Sequence, residues 1–148
     1  MDAQDWKQNL VEDDAGVREI VRGAKRVAVL GIKPETHGGQ PAHYVPRYLS
    51  EAGVEVVPVP VYFPEVTEIF GKKVYRKLTD VPGPLDLVDV FRRPADIDQH
   101  VDDLIEKKPK AVWFQSGITN DAAAEKLAKA GIKVVQDRCL MVDHRRFG

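Results

Sequence analysis

A single cysteine, Cys139, among 148 residues leaves no material for an internal disulfide framework or a cysteine-rich zinc site. It fits a reducing compartment, so the chain reads as cytoplasmic. Excess charge of one sign is lacking too. Twenty-two Lys and Arg stand against 23 Asp and Glu, a formal net charge of -1. Proteins that coat nucleic acid usually carry a strong basic excess, so no nucleic acid is expected as a partner. No apolar run approaches the ~20 residues that cross a bilayer, so no membrane is expected either. The segment from Met1 to Asp14 is too polar for a signal peptide. Internal repeats and low-complexity tracts are absent, and no two histidines show the spacing of a metal site.

What remains is ordinary in amount: 43% hydrophobic and 30% charged residues. A chain of this length suits one domain, 1–148, and buries about two-thirds of its unfolded surface without a staple.

Strand-like and helix-like periods alternate along it. Val11, Ile20 and Val21 mark a short helix that ends near Gly23. Arg26 to Gly31 is a short apolar run broken by glycine, the pattern of a fully buried strand. Val45, Tyr48, Leu49 and Ala52 recur at helical spacing up to Gly53, and Pro46 is expected only in the first turn of that helix. Val54–Val59 and Leu85–Val90 are the next strands. Pro94 is expected to open a helix carrying Ile97, Val101, Leu104 and Ile105 on one face, with His100 on a solvated face. Ala111–Phe114 is a strand with Trp113 in the core, Asn120 or Asp121 caps a helix that stops at Gly131, and Ile132–Val135 is the last strand. A basic tail, His144-Arg145-Arg146, follows. The aromatic, Lys-bearing stretch Val61–Val81 predicts an irregular crossover with a short edge strand near Val74.

This alternation predicts an α/β fold: a Rossmann-like three-layer sandwich around a parallel sheet of about five strands. Ligands of such sheets bind beyond the C-terminal strand ends, so the residues just after each strand are the informative ones. After the first comes a long loop from Gly31 to Pro41 with three glycines, leading into a helix. Glycine lets backbone N–H groups approach a phosphate, and a helix N-terminus adds positive partial charge. The plainer alternative is a flexible surface loop. Neither G-x-G-x-x-G nor a P-loop is present.

After the second strand stands Pro58-Val59-Pro60, where an NAD-binding unit places an acid about 20 residues past its glycine loop. Glu55, the nearest acid, lies inside the strand. After the third stand Arg92 and Arg93, two guanidiniums suited to phosphate, or else one ion-paired and one solvated arginine. After the fourth comes Gln115-Ser116-Gly117, which turn and cap chemistry would explain equally well. Arg138 and Cys139 follow the fifth. A catalytic thiol needs a base in reach, and a lone cysteine is more often a small buried hydrophobe.

Taken together, Val27–Gly31, Pro58-Val59, Val88-Asp89-Val90-Phe91-Arg92-Arg93-Pro94, Trp113–Ile118 and Ala130–Cys139 resemble the small stand-alone CoA-binding domain proteins. These are similar to the N-terminal CoA-binding domain of the succinyl-CoA synthetase alpha subunit. The resemblance covers roughly Ala24 to Phe147.

It implies coenzyme A, free or as acyl-CoA, bound at the C-terminal edge of the sheet without catalysis by this domain. Gly31, Ile32, Lys33 and Pro34 would approach the CoA phosphates. Pro58, Val59, Pro60 and Phe91 would flank the adenosine, and Gln115, Ser116 and Gly117 would touch the CoA chain. Tyr44, Arg47, Arg92, Arg93, Arg138 and Cys139 complete the candidate set. The family usually reads Val-Pro-Val-Asn-Pro after the second strand, whereas this chain has Val57-Pro58-Val59-Pro60-Val61 and lacks the Asn. The ligase phosphohistidine belongs to a second domain, so no ligase activity carries over. CoA brings about four negative charges, which the glycine loop and Arg92-Arg93 suit without a basic protein overall. Two other readings stand beside it. One is a small NAD(P)-dependent enzyme. The other is a regulatory module, a homodimer or a partner-protein binder working through the crossover from Tyr62 to Tyr75.

Overall fold

The computed structural model describes residues 5–148. Met1–Gln4, part of the segment read above as too polar for a signal peptide, lie outside the described residues. In chain order the elements are α1 (Asp14–Gly23), β1 (Arg26–Leu30), α2 (Pro41–Glu51), β2 (Glu55–Val59), β3 (Glu68–Ile69) and β4 (Lys72–Lys73). Then follow β5 (Leu87–Val90), α3 (Val101–Lys107), β6 (Ala111–Phe114), α4 (Asp121–Lys129), β7 (Lys133–Val135) and α5 (Leu140–Phe147).

Five strands form a parallel sheet in the order β2-β1-β5-β6-β7. Each central strand is apolar on both sides because both faces are covered. Ala28, Leu30, Val88, Val90 and Phe114 face one layer, with Val101 and Leu104 of α3 and Leu127 of α4. Val27, Val29, Leu87 and Trp113 face the other, with Val17 and Ile20 of α1, Leu49 of α2 and Phe147 of α5. This is the expected Rossmann-like α/β sandwich. The strand order runs outward in both directions from β1 and β5, so the crevice between their C-terminal ends is the switch point. No helix among the described residues is long and apolar enough to cross a membrane.

Four local expectations need correction. Pro46 is the sixth residue of α2, not a first-turn residue. The helix expected from Pro94 is broken: two 3-10 turns, Pro94–Asp96 and Asp98–His100, precede α3. Asn120 Nδ2 holds them by donating to Pro94 O (2.9 Å) and Asp98 Oδ1 (3.0 Å). The edge strand expected near Val74 is a separate antiparallel hairpin of β3 and β4, turned at Phe70 and Gly71 with positive φ. One bond, Tyr75 N–H to Pro58 O (3.0 Å), ties it to β2. The basic tail is the last turn of α5, where cations suit the helix dipole.

Asp89, central in β5, is wholly buried between Val29 and Trp113 on the neighbouring strands. Neither carboxyl oxygen has a hydrogen-bond partner among the described residues. Burial pushes its pKa well above the usual carboxylate range.

Candidate functional site

Gly31 ends β1 with φ of +88°, a conformation that favours glycine. Its N–H donates to Val59 O at 2.9 Å, and Phe91 N–H donates to Leu30 O at 2.9 Å. The chain therefore crosses directly beneath the end of β5. A Cβ on Gly31 would lie closer than 3.0 Å to the Phe91 carbonyl oxygen.

The next residues are held from α2. Lys33 N–H donates to Ala42 O at 3.0 Å, and His43 Nδ1–H donates to Lys33 O at 3.0 Å. The Lys33 ammonium donates to Gln40 Oε1. His43 is buried in this backbone role. Pro41 has no N–H, and His43 and Tyr44 donate theirs to Gln40 O at 2.9 Å, so the uncapped first turn of α2 leaves the Ala42 N–H open to an outside acceptor.

A cleft of about 580 Å³ opens here, within the usual range for small-molecule sites. Lys33 and the α2 start, Gln40, Pro41 and Ala42, form one wall, with Tyr44 and Val45 behind them. Phe91, Arg92, Arg93 and Pro94 come from the end of β5. Gln115, Ser116 and Ile118 come from the end of β6, and Cys139 from the start of α5. Three cations and no carboxylate line this cleft. A cavity of about 750 Å³ beside β7 is larger, but Glu12, Asp121, Glu125 and Asp137 line it against Arg138 alone. Its charge repels phosphate; the smaller cleft attracts it.

The two adjacent arginines differ. The Arg92 side chain is 21% exposed, with Nε donating to His100 Nε2 at 3.1 Å and Nη2 at 3.9 Å from Asp96. The Arg93 side chain is 86% exposed, with Nε donating to the same Asp96 at 2.8 Å. His100 is thus half-buried behind Arg92 rather than on a solvated face. Burial, then the Arg92 charge, holds its pKa below the ordinary 6.5, against Asp103 and Asp96. No sequence pattern signals this pair, because it depends on the two 3-10 turns.

Gln115 is only 4% exposed. Its Oε1 accepts the first N–H of α5, from Leu140, at 3.0 Å. Among the described residues its amide nitrogen makes no bond. Cys139 is half-buried on the cleft wall, not sealed in the core.

Not every candidate converges. Ile32 and Pro34 are buried in the loop, and Pro58, Val59 and Pro60 are buried at the end of β2. None of these five lines the cleft. Arg47 is exposed and also outside it. Gly117 is occupied by its N–H bond to Asp137 Oδ1 at 2.6 Å. Arg138 turns away: Asp143 grips it at 2.7 Å and Asp14 at 3.3 Å, and the Asp143 bond, ahead of burial, raises its pKa. Gln40, Pro41, Ala42, Val45, Pro94 and Ile118 are lining residues absent from the sequence-based set. The signal for Gln40, Pro41 and Ala42 is the helix start after the glycine loop, whose positive partial charge the sequence already implies.

Residues 25–145 match the family model described as CoA binding domain. The uncharacterized protein YneT of Bacillus subtilis (strain 168) is 32% identical over 130 residues, 88% of this chain and 93% of that protein. Among solved structures, cell-free ID.343 from Thermus thermophilus is 41% identical with a TM-score of 0.83, over 93% of this chain and all of that one. A hypothetical protein from Pyrococcus horikoshii OT3 is 34% identical with a TM-score of 0.81, over 92% of each chain. The dinucleotide forming acetyl-coenzyme A synthetase 1 of Ca. Korarchaeum cryptofilum, in complex with phosphate and ADP, is 20% identical with a TM-score of 0.65. That match covers 78% of this chain and 26% of the other, and it is a likeness of fold.

Proposed function

The chain belongs to the CoA binding domain family, and from that premise we propose that it holds coenzyme A, free or acylated, in the cleft between the ends of β1, β5 and β6. In this reading it is a binding module with no chemistry of its own. The observation that carries it is the lining: Lys33, Arg92, Arg93 and the uncapped start of α2 surround the cleft with no opposing carboxylate.

The diphosphate lies at Lys33 and the α2 start, where the Lys33 ammonium, the Ala42 N–H and the helix dipole favour an anion. Arg92 and Arg93 meet the same diphosphate from the end of β5. Phe91 and Tyr44 supply apolar faces for the adenosine, and the Gln115 amide nitrogen supplies a donor for the pantetheine chain. The same lining speaks against NAD. No acid stands in the cleft to hold the ribose hydroxyls, and the end of β2, where that acid belongs, is buried Val59 and Pro60.

Titration calorimetry with CoA, acetyl-CoA, NAD, NADP and ATP tests the reading. Heat with CoA or acetyl-CoA at micromolar concentration, and weaker binding of the others, is expected. No heat with CoA up to about millimolar concentration overturns it.

A further inference from the structure

Arg92 is the cation of the cleft whose position the protein fixes. Its side chain is largely covered, whereas Arg93 stands out in solvent. The covering group is His100, eight residues on along the chain but directly behind the guanidinium, with Arg92 Nε donating to His100 Nε2 at 3.1 Å. Only a neutral imidazole with its proton on Nδ1 can accept that bond.

His100 does not line the cleft. It is held in its turn by the structure around it. It ends the 3-10 turn Asp98–His100, and Asn120, which caps α4, clamps that turn through Asp98 and Pro94. Ile97, wholly buried, anchors the same segment in the core. The imidazole is therefore a fixed acceptor rather than a loose surface group. It occupies one edge of the guanidinium and leaves the remaining N–H groups for the cleft and Asp96.

We propose that His100 is the positioning residue for Arg92: the neutral ring holds the guanidinium toward the cleft, so the cleft binds a phosphate-bearing ligand more strongly than it does once the ring is protonated. The proposal rests on the reading of the cleft as a coenzyme A site. Protonation places an N–H on Nε2, where it faces the Arg92 Nε–H. The bond becomes a repulsion between two cations, and Arg92 turns toward Asp96. The charged groups that face the ring are Arg92, Asp96 and Asp103. The two carboxylates stay ionised through the range in which an imidazole titrates.

The probes are CoA and dephospho-CoA, whose diphosphate has no group that titrates near neutrality. The 3′-phosphate of CoA does titrate there. Affinities of wild type, His100→Gln and His100→Leu are measured by calorimetry from about pH 5 to about pH 8. Gln supplies an acceptor that does not titrate, and Leu supplies none.

For dephospho-CoA, wild-type affinity falls about five- to tenfold at the acid end, the scale of one ordinary hydrogen bond, since Arg92 is displaced rather than removed. His100→Gln binds close to wild type at the alkaline end and loses little at the acid end. His100→Leu is weaker by a similar factor at both ends. With CoA itself the ratio of Gln to wild-type affinity rises toward acid pH, since the ligand titrates alike for both. A Gln variant whose profile follows wild type, or a Leu variant that binds as tightly as wild type at alkaline pH, overturns the role of His100 alone. Binding of neither probe at any pH overturns the coenzyme reading and this proposal with it. A thermal melt of each variant separates loss of binding from loss of fold.

Discussion

Lys33 donates its backbone N–H to the carbonyl of Ala42 at 3.0 Å. That carbonyl lies four residues before Pro46, which has no N–H to give it. A proline inside a helix normally costs stability for this reason, and here the orphaned acceptor is taken by the loop that carries Lys33. The proline thereby couples the helix to the cleft wall. Replacing it, Pro46→Ala, supplies a competing donor to Ala42. Faster hydrogen exchange at the Lys33 amide and CoA affinity weaker by about threefold are expected. Unchanged exchange at Lys33 would show that the loop does not depend on the vacant acceptor.

Gly31→Ala meets two obstacles at once. The position has φ of +88°, and the added methyl meets the Phe91 backbone oxygen, which cannot swing aside as a side chain can. A loss of more than about 3 kcal/mol is expected, with failure to fold as the extreme. Urea denaturation measures it. A variant as stable as wild type would mean that the ends of β1 and β5 are further apart than the register implies.

The two arginines predict unequal losses. Arg92 is covered and bound to His100, so its loss empties a prepared position; Arg93 is solvated and holds only Asp96. Arg92→Ala is expected to weaken CoA binding by about ten- to a hundredfold, and Arg93→Ala by about threefold or less. Calorimetry on the pair decides it. Equal effects would mean that solvent exposure, not fixation, selects the phosphate partner.

Asp89 sets a pH dependence of stability. Burial raises its folded pKa above the 3.8 of an ordinary Asp, so the folded chain keeps a proton that the unfolded chain releases. Between the two pKa values the native state binds more protons, and stability falls as pH rises. The contribution is full below 3.8 and is lost as the pH climbs through the folded value. Asp89→Asn stays neutral throughout. The two proteins should melt alike in acid, and the variant should gain about 1.4 kcal/mol per pH unit across that window. Parallel melting curves across the pH range would place a partner on the carboxyl.

How much of this was written in the chain order can be judged from particular residues. Val27–Leu30 and Leu87–Val90 announce buried strands because alternate residues face two apolar layers, and the helices between them force parallel pairing. Asn120 as a cap is legible for the same local reason: its side chain accepts Ala123 N–H three residues on. Arg138 follows the fifth strand but turns from the cleft, drawn chiefly by Asp143 on α5 and also by Asp14, 124 residues earlier, pairings that no hydrophobic period encodes. His100 was assigned to a regular helix whose period the Asn120 clamp breaks. Local spacing thus reports the elements and the loop ends, while side-chain direction at those ends is decided by polar partners that no hydrophobic period encodes.

Cys139 turns its solitude into a reporter. It is the chain's one cysteine, it is half-buried, and it stands on the cleft wall beside Gln115 and Ser116. A thiol reagent therefore reads a single site, with no background from other thiols. If acetyl-CoA, a thioester with no free thiol to consume the reagent, fills the cleft, its bulk shields the Cys139 thiol, and alkylation by iodoacetamide should slow by about tenfold at saturation, with a half-effect at the calorimetric Kd. NAD at the same concentration should protect far less. Mass spectrometry of the intact chain follows the reaction as a single addition. Protection by acetyl-CoA that is absent for Arg92→Ala would tie the thiol and the guanidinium to one bound molecule. Rapid alkylation in the presence of saturating acetyl-CoA would put the ligand on another face of the sheet.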